Sequence, residues 1–229
     1  MTADLNCDMG ELDDARREAA LMEYVTSASI ACGAHAGDEQ TMERTVRLAL
    51  ARGVRIGAHP GYPDRENFGR LELAMTEAEI ERTVREQIER LEAVARRCGA
   101  EVAYVKPHGA LYNVAARDER VARAVGRAAL AWRPGACVFG LAGSAAIEQW
   151  RAMGIDAAPE GFADRRYEPD GSLRSRRLPG ALIVDAEEAA AQAAALMRAG
   201  AARTICVHGD TPGAVRILQA CRRVLIPSA

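Results

Sequence analysis

The chain carries four histidines, and each closes a short apolar run: "SIACGAH" ends in His35, "RIGAH" in His59, "YVKPH" in His108 and "TICVH" in His208. The run "LNCDMGE" brings Asn6, Asp8 and Glu11, and "PEGFADRR" brings Glu160, Asp164 and Arg165. Imidazoles and carboxylates move protons near neutral pH. They also hold zinc and similar divalent ions, for which Asp8, His35, His59 and His108 are the candidate ligands. The chain has no HxH or HExxH pair, so every ligand would come from a different run. No local pair closes a four-ligand site, and a tightly bound transition metal is not expected. One histidine at a strand end is commonly structural. Four out of four point to one shared site.

Of the 30 lysines and arginines, only Lys106 is a lysine, in "VKPHGALYN". A compact ammonium neutralises a carboxylate or polarises a carbonyl oxygen, and its pKa is tunable, whereas a guanidinium is larger and keeps its proton. The plainer alternative is a strand-end lysine reaching for water. A charge at a strand end contributes modestly to folding, so loss of Lys106 is expected to lower turnover and leave melting little changed.

Positioning these residues falls to apolar runs at 3–7, 27–32, 54–58, 101–106, 136–142, 155–158, 181–185 and 203–208. They lack polar alternation, as suits parallel strands covered on both faces. Helical patterns lie between them at 12–24, 38–52, 76–98, 117–132, 144–153, 186–199 and 213–222. The clearest has a Thr76/Glu79 capping box, an Ile80, Val84, Ile88, Leu91, Ala95, Cys98 stripe, and Gly99 as a stop. Asp38 and Asp210 stand near two helix starts, where a carboxylate can cap. Eight strands alternating with helices predict a single distorted TIM-like (β/α) barrel domain over 1–229, with an open doubly wound sheet as the alternative. In a barrel the strand ends share one face, and the chemistry sits there. The segment 159–180 is long for a connection; "EPDGSL" suits a hairpin through Asp170–Gly171, and its arginines suit an anion or plain solvent.

A formal net charge of −2 excludes a broad nucleic-acid or anionic-membrane surface. The start of the sequence does not read as a signal peptide, and no apolar stretch reaches the ~20 residues of a membrane helix. Six cysteines without a CxxC pair read as free thiols in a reducing cytoplasm.

The stretches "LNCDMGE" (5–11), "TSASIACGAHAGD" (26–38), "GAHPGYPDRENFGR" (57–70), "VKPHGALYN" (105–113), "EGFADRRY" (160–167) and "VHGDTPGAV" (207–215) together resemble the LamB/YcsF family, the A subunits of bacterial 5-oxoprolinase. The resemblance implies a distorted TIM-like barrel related to glycoside hydrolases and deacetylases. It implies ATP-dependent opening of 5-oxoproline to L-glutamate, with ADP and phosphate released, in a cytoplasmic complex with subunits B and C. The family's Ser-Phe-Gly after the Gly-Glu pair is replaced here by "LDDARRE", and Arg176 keeps the register of a family Pro-Arg-Ser.

On that resemblance Asp8, His59, Lys106, His108 and Glu160 are the candidate catalytic residues. Asn6, His35, Asp164, Arg165, Arg176, His208 and Asp210 are candidates for binding substrate or phosphate. Lys106 and Arg176 would meet a carboxylate or phosphate, Asp8 or Glu160 would act as base, and His59 and His108 would position the carbonyl or shuttle protons. ATP, with magnesium, is the expected cosubstrate; self-association is compatible with the sequence. Two rival readings are a metal-dependent deacetylase or amidohydrolase working without ATP, and a subunit that binds 5-oxoproline without turning it over. A tightly bound divalent ion would favour the first; the lack of a Walker motif speaks for the second without deciding it, because many ATP sites lack one.

Overall fold

The computed structural model describes residues 3–12 and 14–226. Asp13, inside the helix predicted over 12–24, and residues 1, 2 and 227–229 of the predicted domain lie outside them. Seven strands run parallel in chain order: β1 (Asp4–Met9), β2 (Ser27–Ala31), β3 (Arg55–His59), β4 (Tyr104–Val105), β5 (Cys137–Leu141), β6 (Asp156–Phe162) and β7 (Thr204–Cys206). β7 closes on β1, with Asp4 opposite Thr204 and Asn6 opposite Cys206. Around this barrel lie α1 (Ala15–Met22), α2 (Glu39–Ala51), α3 (Glu77–Arg97), α4 (Gly109–Ala115), α5 (Glu119–Trp132), α6 (Ala145–Ala152), α7 (Ala186–Arg198) and α8 (Ala214–Leu225). The fold is a TIM-like α/β barrel.

The strand predicted at 181–185 is not a stave of the barrel. β6 pairs directly with β7, Glu160 opposite Thr204, which leaves no slot for it. Leu182 instead makes an antiparallel bridge to Arg165, and Val184 is 53% exposed. An apolar run with one side in water is not a two-face-buried parallel strand. Its partner segment forms the small hairpin predicted at Asp170–Gly171: Tyr167 bridges Leu173, and Asp170 Oδ1 accepts from the Ser172 amide.

Side chains alternate along the strands after all. Leu5, Cys7 and Met9 of β1 join Ala28, Ile30, Ile56, Val105, Val138 and Ile205 in the apolar layer between barrel and helices. The intervening positions point into the barrel. At its base Tyr104 stacks on Phe139 with ring centres 4.0 Å apart. Gly57 makes room for it, since a Cβ there would lie 2.2 Å from the Tyr104 ring. Above this floor the inward positions of the strands and their ends are Asn6, Asp8, His59, Lys106, Glu160 and Cys206.

Helix ends follow the sequence in two cases of three. Thr76 and Glu79 form the reciprocal capping box of α3, and Asp38 Oδ1 accepts from the Thr41 amide at 2.8 Å. Asp210 caps no helix: α8 begins at Ala214, and its N-cap is Gly213, whose φ of 79° suits glycine. α4 is an addition to the predicted elements; it starts directly after His108 and fixes that histidine at its N-terminus.

Candidate active site

Lys106 follows β4 and reaches across the barrel interior. Its Nζ lies 2.8 Å from Asp8 Oδ1, 2.9 Å from Glu160 Oε1, and 3.1 Å from both Asn6 Oδ1 and Cys206 Sγ. Asn6 is oriented from its other end, donating to Glu160 Oε1 at 2.9 Å and to Thr204 Oγ1 at 2.8 Å. Burial disfavours the Lys106 charge, but Asp8, Cys206 and Glu160 outweigh it and hold the ammonium well above its ordinary pKa. Burial likewise works against the Asp8 carboxylate, and the positive potential of His59 and Lys106 overcomes it, leaving Asp8 below the usual carboxylate range. The sequence reading of a strand-end lysine of small structural weight does not hold. Lys106 is 2% exposed and its donors are already taken, so it organises the site's carboxylates and is not free to clamp a second anion.

One layer higher, His35, His59 and His108 gather around Glu11. Glu11 Oε1 is 3.0 Å from His35 Nε2, 3.0 Å from His108 Nδ1 and 3.5 Å from His59 Nε2. His35 and His108 stack with centres 3.7 Å apart and planes within 1°. Burial holds the His59 pKa down to about 3. His108 is buried too, but Glu11 more than compensates and raises its pKa. The loop from Pro60 to Arg70 fits over this stack because of two glycines. A Cβ on Gly61 would sit 2.8 Å from His35 Nδ1, and one on Gly69 (φ +62°) 2.8 Å from His35 Cβ. Between them Phe68 adopts a positive φ of 57°, uncommon for a residue with a side chain, and offers its carbonyl to His108. Behind the β1 end, the buried Glu18 accepts from the Gly10 amide and fixes the turn that presents Glu11.

The third group follows β6 and β7. Asp164 is fully buried and accepts from the His208 amide and from His208 Nδ1 at 3.1 Å, and from the Thr211 hydroxyl. A carboxylate only accepts, so the His208 proton sits on Nδ1, and Nε2 makes no hydrogen bond to the described residues. His208 lines a cavity of about 920 Å³ with Asp8, His59, Lys106, His108 and Arg165. The 170–177 hairpin and its arginines form the outer wall. Arg165 donates from Nη2 to the Arg174 carbonyl at 2.7 Å, while its buried Nε has no partner among the described residues. Burial and the neighbouring Arg176 bring its pKa down to about 10.

The LamB/YcsF family model matches residues 3–228. The chain belongs to the LamB/YcsF family. A relative from Chloroflexus aggregans, named as the A subunit of 5-oxoprolinase, is 48% identical, the match covering 98% of this chain and 95% of that one. A second of the same name, from Chloroflexus aurantiacus, is 47% identical over 93% and 90%. A lactam utilization protein from Thermus thermophilus superposes with a TM-score of 0.90 at 37% identity, covering 98% of this chain and 96% of that structure.

In this LamB/YcsF barrel the sequence-derived candidates separate by depth. Asn6, Asp8, Lys106 and Glu160 form one bonded unit, and His35, His59 and His108 the next, touching it where His59 Nε2 lies 3.6 Å from Asp8 Oδ1. Asp164 and His208 pair beside them. Arg165 and Arg176 stand on the cavity wall. Asp210 is set apart and bonds Arg70 at 2.6 Å and Arg176 at 2.8 Å, tying the 60–70 loop to the hairpin. Glu11 was not ranked as a site residue by sequence, although it lies three positions past Asp8 on the same strand end and the histidines converge on it. Cys206, bonded to Lys106, and Tyr112, which lines the cavity, are the other unranked members. Nothing in a lone buried thiol or a helical tyrosine marks them in sequence.

Proposed function

We propose that the chain is the A subunit of an ATP-dependent 5-oxoprolinase, opening 5-oxo-L-proline to L-glutamate with release of ADP and phosphate. It acts with subunits B and C and with magnesium-bound ATP, in a reducing cytoplasm compatible with its six free thiols. Among the described residues no helix is long and apolar enough to cross a membrane.

One observation carries the chemical reading: the sorting of charge in the cavity. On the outer wall stands a buried guanidinium with an unbonded Nε–H, Arg165, suited to the substrate carboxylate. On the inner side lie His59, His108 and the Asp164-held His208, facing where a lactam ring would sit. Water adds to the lactam C5 while His208 Nε2 takes its proton. A lactam amide is a poor electrophile, so its oxygen first takes the γ-phosphoryl group of ATP, with ADP leaving, and C5 is activated for the water. The proton then passes to the ring nitrogen, the C5–N bond breaks to give an acyl phosphate with a free amine, and a second water releases phosphate and leaves glutamate. Asp8 faces the cavity and Glu160 is fully buried behind Lys106, so of the two carboxylates Asp8 is the one within reach of a ligand. The cavity lies at the upper end of the roughly 300–1,000 Å³ of ligand pockets, more than a small lactam acid fills.

The test is glutamate release from 5-oxoproline with and without ATP, using this chain by itself and with subunits B and C. ATP-coupled release by the complete set is expected. A complete set that hydrolyses no 5-oxoproline with this chain folded overturns the proposal.

A further inference from the structure

We infer that Glu11, His35, His59 and His108 form a binding site for one divalent transition ion of the zinc class. The starting point is where the protons must be. His59 Nδ1 lies 2.8 Å from the Lys106 carbonyl oxygen, and His108 Nε2 lies 2.9 Å from that of Phe68. A carbonyl only accepts, so each of these nitrogens carries the hydrogen. The opposite nitrogens, His59 Nε2 and His108 Nδ1, therefore hold lone pairs in the neutral rings, and they face each other at 2.9 Å. Glu11 Oε1 adds a third acceptor 3.0 Å from His108 Nδ1. With neutral rings, three acceptors meet in the barrel interior, a convergence that a bound cation satisfies.

The spacing fits an ion. Donors about 2.1 Å from one tetrahedral centre stand about 3.4 Å apart. Here the separations to Glu11 Oε1 are 3.0, 3.0 and 3.5 Å, and all four donor atoms lie within 4.8 Å of one another. Three imidazoles and one carboxylate select zinc, cobalt, manganese or iron over calcium and magnesium, which favour all-oxygen sets. The two backbone carbonyls are the outer partners that metal-bound histidines commonly have. His59 and His108 line the cavity, so an ion would have one open side.

The sequence argues against a tight metal because no two ligands are close in the chain. Folding removes that objection by bringing them from the ends of four different runs, with Glu11 in the place given to Asp8. The inference stands apart from the 5-oxoproline reading, and its test uses no turnover.

Protein stripped with chelator is titrated with cobalt(II) and then zinc(II). The expected result is one equivalent of cobalt with visible ligand-field absorption, displaced by zinc. Glu11→Gln and His59→Asn should each weaken binding by at least ~100-fold, the upper end of what losing even an outer partner costs. His208→Asn should leave the affinity unchanged. Melting of each metal-free variant checks its fold. On the unmodified protein, ring-nitrogen NMR should show zinc shifting His108 through Nδ1 and His59 through Nε2. Absence of saturable one-equivalent binding, unchanged affinity in Glu11→Gln and His59→Asn, or ring shifts confined to His208 overturns the inference.

Discussion

The Lys106 ammonium is bonded to Glu160 at 2.9 Å from across the barrel, and the same nitrogen holds Asp8 at 2.8 Å. Removing it strands two carboxylates in a dry interior. Lys106→Met should therefore cost about 3–5 kcal/mol of stability. At this chain length that is a melting drop of roughly 6–20 °C. Lys106→Arg should also destabilise, because the larger guanidinium must fit where Pro107 stiffens the backbone. Both should lower turnover at least ~100-fold. The double change Lys106→Met with Glu160→Gln should recover part of the stability without the activity. Melting curves and steady-state kinetics check this; a Met variant as stable as wild type refutes the shared-ammonium reading.

Gly69→Ala tests the loop over the histidine stack. A Cβ there meets His35 Cβ at 2.8 Å and His108 Cδ2 at 3.0 Å, on a backbone at φ +62°. Left-handed strain of about 1–2 kcal/mol adds to an overpacking cost of about 1–3 kcal/mol. Urea unfolding should show a loss of about 2–5 kcal/mol, against the strain of about 1–2 kcal/mol alone for Gly53→Ala, which has the same sign of φ but meets no atom within 4 Å.

Acid sensitivity should trace to Asp164. Burial raises its pKa, but His208 and Thr211 overcome that and hold it below the ordinary value. A carboxyl depressed in the folded state stabilises fully above its unfolded pKa of about 3.9, and the benefit fades as pH falls through the folded value. The stability gap between wild type and Asp164→Asn should thus be widest at neutral pH and narrow below pH ~4. A gap independent of pH, measured by urea unfolding at several pH values, rejects a charge origin.

Arg165 offers a KM test. Hydrogen bonds to charged groups contribute about 1.5–3 kcal/mol, so Arg165→Met should raise the KM for 5-oxoproline roughly 10–100-fold. The effect on kcat should be smaller. An unchanged KM with kcat lost moves Arg165 from ground-state binding to the chemical step.

Much of this arrangement was legible because chemistry gathers at strand ends in a parallel barrel. His59, Lys106, His108, Glu160 and His208 all lie at or just past the end of an apolar run. The eighth strand misled because "ALIVD" is as apolar as a stave, and only the direct β6–β7 pairing rules it out. The inward alternation of Asn6 and Asp8 was masked because the inward positions of other strands are small or apolar too, as at Ser29, Gly57 and Phe139. Glu11, though noted beside Asp8, was not ranked as a site residue because its partners are distant in the chain. α4 escaped because its "GALYNVA" opens on a glycine and is short.

The solitary lysine has a practical side. The folded chain shelters its one ε-amine inside the barrel, so amine-acylating dyes and lysine cross-linkers find no side-chain target on its surface. Contacts with other chains will give no side-chain amine cross-links to this chain and are better mapped through its carboxylates or arginines. Conversely, acylation of Lys106 becomes a built-in clock for how often the barrel opens.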